Sequence, residues 1–307
     1  MIEAENLTRK FDDLLAVDNL SFHIDEGEVF GFLGPNGAGK TTTIRMLSCL
    51  ISKTSGEARI SGYDTSNESD SLKIRKIIGL LPENVGLYDE LSAYKNLDFY
   101  GKMYDCSLNK RKENIEHFLK MLGLWDKRDM SAGNFSKGMK QKLAIARALI
   151  HDPEILFLDE PTANLDPESS KTVREFILEL KNENKTIFIN THNLDEAQRI
   201  CDKIGIFNKK LMAMGSPEDL ERSVWSNKTI IKLKNVTTKI LESLDNLSIG
   251  NFTSTDTDIT IDVNDPEIEN PLIVNTIVSA GGKIQYVNKL SPSLEDAYLK
   301  IVRGGNE

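Results

Sequence analysis

Gly34-Pro-Asn-Gly-Ala-Gly-Lys-Thr41 fits the spacing G-x-x-x-x-G-K-[ST] and has the chemistry of a phosphate cradle. Gly34, Gly37 and Gly39 let the backbone turn tightly and bring its N–H groups to phosphate oxygens, with Asn36 and Thr42 in the same segment. Lys40 supplies a point charge toward the β and γ phosphates, and the Thr41 hydroxyl suits magnesium. A second cluster, Ile155-Leu-Phe-Leu-Asp-Glu160, delivers two carboxylates at the end of an apolar run. Asp159 is placed to hold the magnesium shell, and Glu160 to orient or deprotonate an attacking water. A lone His192 follows the run Thr186 to Thr191. Binding of a nucleoside triphosphate with Mg2+ is the chemistry these residue types point to, and the paired carboxylates suit activation of a water against it.

Such groups work only if strands and helices deliver them to one place. Val29 to Leu33 reads as a buried strand before the glycine loop, and Thr42 to Leu50 as the helix after it. Asp159 and Glu160 end another buried strand, and in an open parallel sheet the carboxyl ends of strands are where ligands bind. The run before His192 reads as a third strand ending at the same edge. Ile2 to Leu7, Leu20 to Ile24 and Glu57 to Ile60 suggest a small β layer beside this α/β sheet. Leu91 to Met103 and Arg111 to Leu122 carry apolar residues at helical spacing, the second with Ile115, Phe118, Leu119 and Leu122 on one face.

Phe135-Ser-Lys-Gly-Met-Lys-Gln141 lies between the two clusters and opens the helix-like stretch Met139 to Leu149. Its Ser-X-Gly turn offers donors and a positive dipole end to an anion, although Ser136 would also cap an ordinary helix. This segment resembles the signature motif of ATP-binding cassette (ABC) proteins, and the resemblance covers residues 1–220. It implies an α/β P-loop ABC domain with a β subdomain and a helical subdomain over 84–150. It also implies a second ATPase subunit, so that Ser136 and Gly138 of one copy contact the γ phosphate held by the other. By the same resemblance His192 contacts that phosphate, Asp166 lies in the turn between the two sites, and Phe11 stacks on adenine. Glu83 stands where most members have a glutamine that reaches the metal, and Lys137 where a second glycine is usual. Both variants resemble the branch serving drug, antibiotic, lipid and sodium exporters.

The 307 residues are 39% apolar and 28% charged, enough for one large core and a smaller domain in a soluble globular chain. No apolar run reaches 18 residues, so the chain is not expected to cross a membrane itself. Met1-Ile-Glu-Ala-Glu has no basic flank or apolar stretch, and no secretory leader is expected. Cys49, Cys106 and Cys201 are too far apart for a metal or redox motif and fit a reducing cytosol. A net charge of −9 argues against broad nucleic-acid binding, and the run Lys137 to Lys142 is too short to reverse it. Only one phosphate loop is present, so the simplest complete assembly is a homodimer.

Residues 228–303 show their own strand and helix signals: Thr229 to Leu233 and Asp258 to Val263 alternate, Thr237 to Leu244 is helix-like, and Pro271 to Ser279 leads through Gly281-Gly282 into Ile284 to Val287. That order suggests a small α+β accessory domain with an antiparallel sheet. Its tail, Ser291 to Tyr298, resembles one common in the exporter branch. The expected protein is the ATPase subunit of an exporter, held at the inner membrane face by a separate integral-membrane permease through apolar residues in Val85 to Tyr94. An importer ATPase and a non-transport ABC ATPase stand as alternatives. A P-loop kinase or GTPase would leave the signature segment and His192 unexplained.

Overall fold

A computed structural model describes residues 1–83, 86–163, 165–224, 228–247, 249–290 and 293–304. The chain divides into two compact units, Met1–Pro217 and Glu218–Glu307. In the first, the strands β3 (Val29–Leu33), β6 (Ile78–Leu81), β7 (Ile155–Asp159), β8 (Thr186–Thr191), β9 (Lys203–Asn208) and β10 (Lys210–Gly215) form one sheet. Their order is β10-β9-β3-β8-β7-β6, parallel throughout except for β10. Every residue of β3, β7 and β8 is buried, the continuous apolar pattern of strands covered on both faces.

A second, antiparallel sheet has the order β2-β1-β4-β5, from β1 (Ile2–Phe11), β2 (Leu14–Ile24), β4 (Ser55–Ile60) and β5 (Tyr63–Asp64). Ile2, Ala4, Leu7, Val17, Leu20 and Ile24 turn inward from it to a core built on aromatic rings. Phe22, Phe30, Phe32, Phe188 and Phe207 lie with centroids between 4.4 and 6.3 Å apart. Such tilted, offset pairs add to the burial of five large apolar side chains, so the two sheets are fixed face to face.

The helices start where their caps dictate. Helix α1 (Lys40–Leu47) leaves the glycine loop, and α2 (Glu68–Ile77) is capped by the Asn67 side chain. Ser92, Ser107 and Ser136 accept from backbone N–H groups at the starts of α3 (Ala93–Met103), α4 (Leu108–Met121) and α5 (Lys137–Leu149). Asp166 with Pro167 opens α6 (Pro167–Asn182), and Asn193 opens α7 (Leu194–Ile200). The expected helix at 42–50 thus begins two residues earlier, on Lys40 itself.

The second unit begins within α8 (Pro217–Val224). Its sheet has the order β12-β13-β11-β14, from β11 (Lys228–Leu233), β12 (Phe252–Ser254), β13 (Asp258–Asp262) and β14 (Ile284–Leu290). Helices α9 (Thr238–Asp245) and α10 (Pro266–Ser279) bury Ile240, Leu244, Ile273 and Ile277 against Ile231, Leu233, Ile259 and Ile261, and α11 (Leu294–Gly304) ends the described chain. Two elements here go beyond the sequence reading. Helix α10 starts at Pro266, capped by Asp265, and runs through Pro271, which is exposed. Strand β12 was not anticipated because three residues carry too little periodicity. Ser291 and Pro292 of the tail lie outside the described residues.

After α5, His151 donates from Nε2 to the Ile78 carbonyl at 3.0 Å, and its ring stacks on Tyr104 with centroids 3.7 Å apart. Burial lowers its pKa from 6.5 to about 4. A lowered folded-state pKa means that the unfolded chain takes the proton first, so stability is complete above pH 6.5 and drains away toward pH 4. The loss is up to about 3 kcal/mol. His151→Phe should therefore flatten the fall of Tm between these pH values, and calorimetry showing unchanged slopes would overturn this account.

Candidate functional site

The parallel register sets three strand ends side by side. Leu33, the last residue before the loop, pairs with Thr191, and Asp159 pairs with Asn190. The glycine loop, the acidic strand end and His192 therefore emerge from one edge of the main sheet.

The loop's geometry depends on absent side chains at two glycines. A Cβ on Gly34 would sit 2.1 Å from the Phe207 carbonyl oxygen, and one on Gly39 2.2 Å from that of Ala16. Gly39 also has φ +102, where side chains are strained. Lys40 is almost fully buried, and its Nζ donates to the carbonyls of Gly34 at 2.7 Å and Pro35 at 3.2 Å. Burial lowers its pKa, while Glu160 and Asp159 oppose that shift.

Thr41 Oγ1 donates to Asp159 Oδ2 at 2.8 Å, and the other carboxylate oxygen accepts from Asn190 Nδ2 at 3.1 Å. Glu160 takes a left-handed backbone with φ +51, held by donation from its N–H to the Asn190 carbonyl at 2.9 Å. Its side chain meets His192 Nδ1 at 2.9 Å. The ring is mostly exposed while the carboxylate is mostly covered, so the pair stands at the rim of the site.

A cleft of about 450 Å³ gathers Phe11, Asn36, Gly37, Gly39, Lys40, Thr41, Thr42, Glu83, Asp159 and Glu160. Gly34 reaches it through its carbonyl's bond to Lys40. The Arg9 guanidinium lies 4.3 Å from the centre of the Phe11 ring, a cation–π contact on the aromatic at the cleft's mouth. Magnesium would meet hard oxygen donors here, the Thr41 hydroxyl and the Asp159 carboxylate with Glu83 at the same cleft, and it takes its remaining ligands from phosphate and water. The donor set fits that ion.

Ser136, Gly138 and Asp166 do not line this cleft. Ser136 accepts from Met139 N–H as the cap of α5, and Asp166 from Ser169 N–H as the cap of α6. The two caps are neighbours: a Cβ on Gly138 would lie 2.7 Å from Ser169 Oγ and 3.5 Å from Asp166 Oδ2. Lys137 points to solvent, and Gln141 Nε2 donates to the Pro161 carbonyl at 3.1 Å. Sequence reasoning missed Asn190, Lys209 and Arg9. None has a local signal: Asn190 faces Asp159 only through strand register, and Lys209 reaches the cleft from the β9–β10 turn.

A family model described as "ABC transporter" matches residues 17–163. The ABC transporter ATP-binding protein NatA of Bacillus subtilis (strain 168) is 42% identical over 229 residues, 73% of this chain and 92% of that protein. The chain belongs to the ABC transporter family. It is an ATP-binding, ATP-hydrolysing subunit of such a transporter, and its α/β architecture is the P-loop ABC fold. The linearmycin resistance ATP-binding protein LnrL of the same organism is 33% identical, with 98% of both chains matched. A solved dimer of an ATP-binding cassette in a post-hydrolysis state, bound to ADP and Pi, superposes with a TM-score of 0.64 at 27% identity. It covers 70% of this ABC subunit and 98% of that structure.

The glycines of this ABC subunit's loop should separate by their surroundings. Gly37 has φ +80 but open space around its Cβ position, so Gly37→Ala should cost only the backbone strain of about 1 kcal/mol. Gly39→Ala adds a clash with backbone and should weaken ATP binding by at least about 100-fold. Titration with a fluorescent ATP analogue checks both, and equal losses would refute the steric account.

Proposed function

We propose that two copies of this chain close head to tail around two Mg-ATP molecules and thereby drive export through a separate integral-membrane permease. The observation that carries this reading is the division of the site. The phosphate loop, Asp159 and Glu160 converge on one cleft, with His192 at its rim bonded to Glu160, whereas Ser136 and Gly138 present their turn elsewhere on the same unit. A second copy would supply that turn to the γ phosphate.

In this mechanism the loop's N–H groups and Lys40 bind the β and γ phosphates, and Phe11 stacks on the base. Thr41, Asp159 and Glu83 would hold magnesium, which supplies charge stabilisation for the leaving phosphates when bound. Glu160 takes a proton from the attacking water while His192, at 2.9 Å, fixes the carboxylate's direction and reaches the γ phosphate. Asp166 lies where the two sites would communicate. The cassette is assigned to residues 1–220, with its helical subdomain at 84–150, and the accessory domain to 228–303.

Among the described residues no helix is long and apolar enough to cross a membrane, so attachment falls to the permease. Val85 lies outside the described residues, but Tyr88 of the expected docking segment is an exposed large side chain, as are Phe99 and Met103 on α3. Tyr88 packs edge-on to Phe99 at 5.1 Å, and this firm apolar surface supports docking of the permease there. LnrL's name concerns resistance to linearmycin, and a drug or antibiotic is accordingly the proposed class of cargo.

Lys40→Ala should abolish nucleotide binding, while Glu160→Gln should keep it and lower turnover by about 100-fold or more. With Mg-ATP, the Glu160→Gln protein should become a dimer by light scattering and co-purify with a multi-span membrane protein from solubilised membranes. A monomer at saturating Mg-ATP, or capture of ribosomes instead, would overturn the reading.

A further inference from the structure

We propose that Glu196 is a positioning residue for hydrolysis, a buried carboxylate that ties the segment following Glu160 to the segment preceding His192. The inference rests on the roles given to those two residues above.

Glu196 occupies the first turn of α7 and is 1% exposed. A carboxylate so deeply placed is costly unless its oxygens are satisfied. Both are, by hydroxyls from different parts of the chain. Thr162 Oγ1 donates to Oε1 at 2.7 Å, and Thr191 Oγ1 donates to Oε2 at 2.9 Å. Thr162 lies two residues after Glu160, and Thr191 immediately precedes His192. The bond between Glu160 and His192 then closes a ring that runs Glu160, Thr162, Glu196, Thr191, His192 and back.

Neighbouring bonds set the direction of the donors. Thr191 Oγ1 accepts from Asn193 N–H at 3.0 Å, which leaves its single proton for Glu196. Glu196 N–H in turn donates to Asn193 Oδ1 at 3.1 Å, so the helix cap fixes where the carboxylate begins. Burial raises the carboxyl's pKa, the two hydroxyls lower it, and Glu160 adds a further raising charge.

Glu160 needs such support. Its left-handed backbone is one that a residue with a side chain adopts only where its surroundings over-determine it. On one side its N–H is held by Asn190. On the other, Thr162 is anchored through Glu196 to the strand end that carries His192. Small errors in aiming a base cost large factors in rate, so this ring acts on turnover and leaves the phosphate loop alone.

Glu196→Gln tests the assignment because it keeps the shape but leaves one oxygen in place of two. Purified protein with Mg-ATP should show kcat lowered about tenfold or more, with KM within about twofold and Tm nearly unchanged. Thr162→Val removes one arm of the ring without touching the carboxylate; it should itself lower kcat with KM nearly unchanged, so it serves if Glu196→Gln does not fold, and an unchanged kcat in it would then overturn the proposal. Where both fold, its loss of kcat should not multiply with that of Glu196→Gln in the double variant. Unchanged kcat in Glu196→Gln, fully multiplicative losses, or a parallel fall of kcat, affinity and Tm would each overturn the proposal. Glu160→Gln measured alongside separates the two readings. Full turnover in that variant would refute Glu160 as the base, whereas a dead Glu160→Gln beside an active Glu196→Gln would refute only the positioning role.

Discussion

The in-register parallel pairing of β3, β8 and β7 is the constraint on which the rest of the site depends. Leu33 pairs with Thr191 and Asp159 with Asn190, so three separate chain segments leave the sheet at one level. From there each short bond has only a few ångströms to span: Thr41 to Asp159, Asn190 to Asp159, Glu160 to His192. Slippage by one residue would turn each of these side chains to the opposite face of the sheet. The aromatic core beneath is what makes slippage expensive, because Phe30, Phe32 and Phe188 are interlocked across the same strands.

Residues whose chemistry is expressed locally were legible in the sequence. The glycine loop, the Asp159-Glu160 strand end and His192 each bring their strand or helix with them, and the structure sets them at one sheet edge. Phe11 and Glu83 were named by resemblance and line the cleft. Asn190, Lys209, Arg9 and Glu196 were not legible, because their partners are distant in sequence and meet them only through the fold. In the second unit, α10 (Pro266–Ser279) has no clear outline in the sequence, because Pro271 inside it interrupts the signal of a continuous helix.

Charge in the site is handled by coverage as much as by pairing. Lys40 and Asp159 are both almost fully buried, yet each is bonded to oxygen or amide groups and neither is left bare. A buried ion held this way has few alternative positions, so the loop and the acidic strand arrive at the nucleotide already aimed. His192 is the contrasting element, bonded to Glu160 on one side and open to solvent on the other.

Gly138 has a mechanical side. With only hydrogen on its Cα, the start of α5 sits flush against the start of α6, close enough that one added carbon would meet Ser169 Oγ at 2.7 Å. There is thus no room at this point for anything larger than hydrogen, and the two helix starts fit each other as a matched joint. Gln141 of α5 fastens the same joint from the next turn, through its bond to the Pro161 carbonyl. A residue that carries no functional group of its own therefore decides how near the Ser136 turn lies to the Asp166 turn.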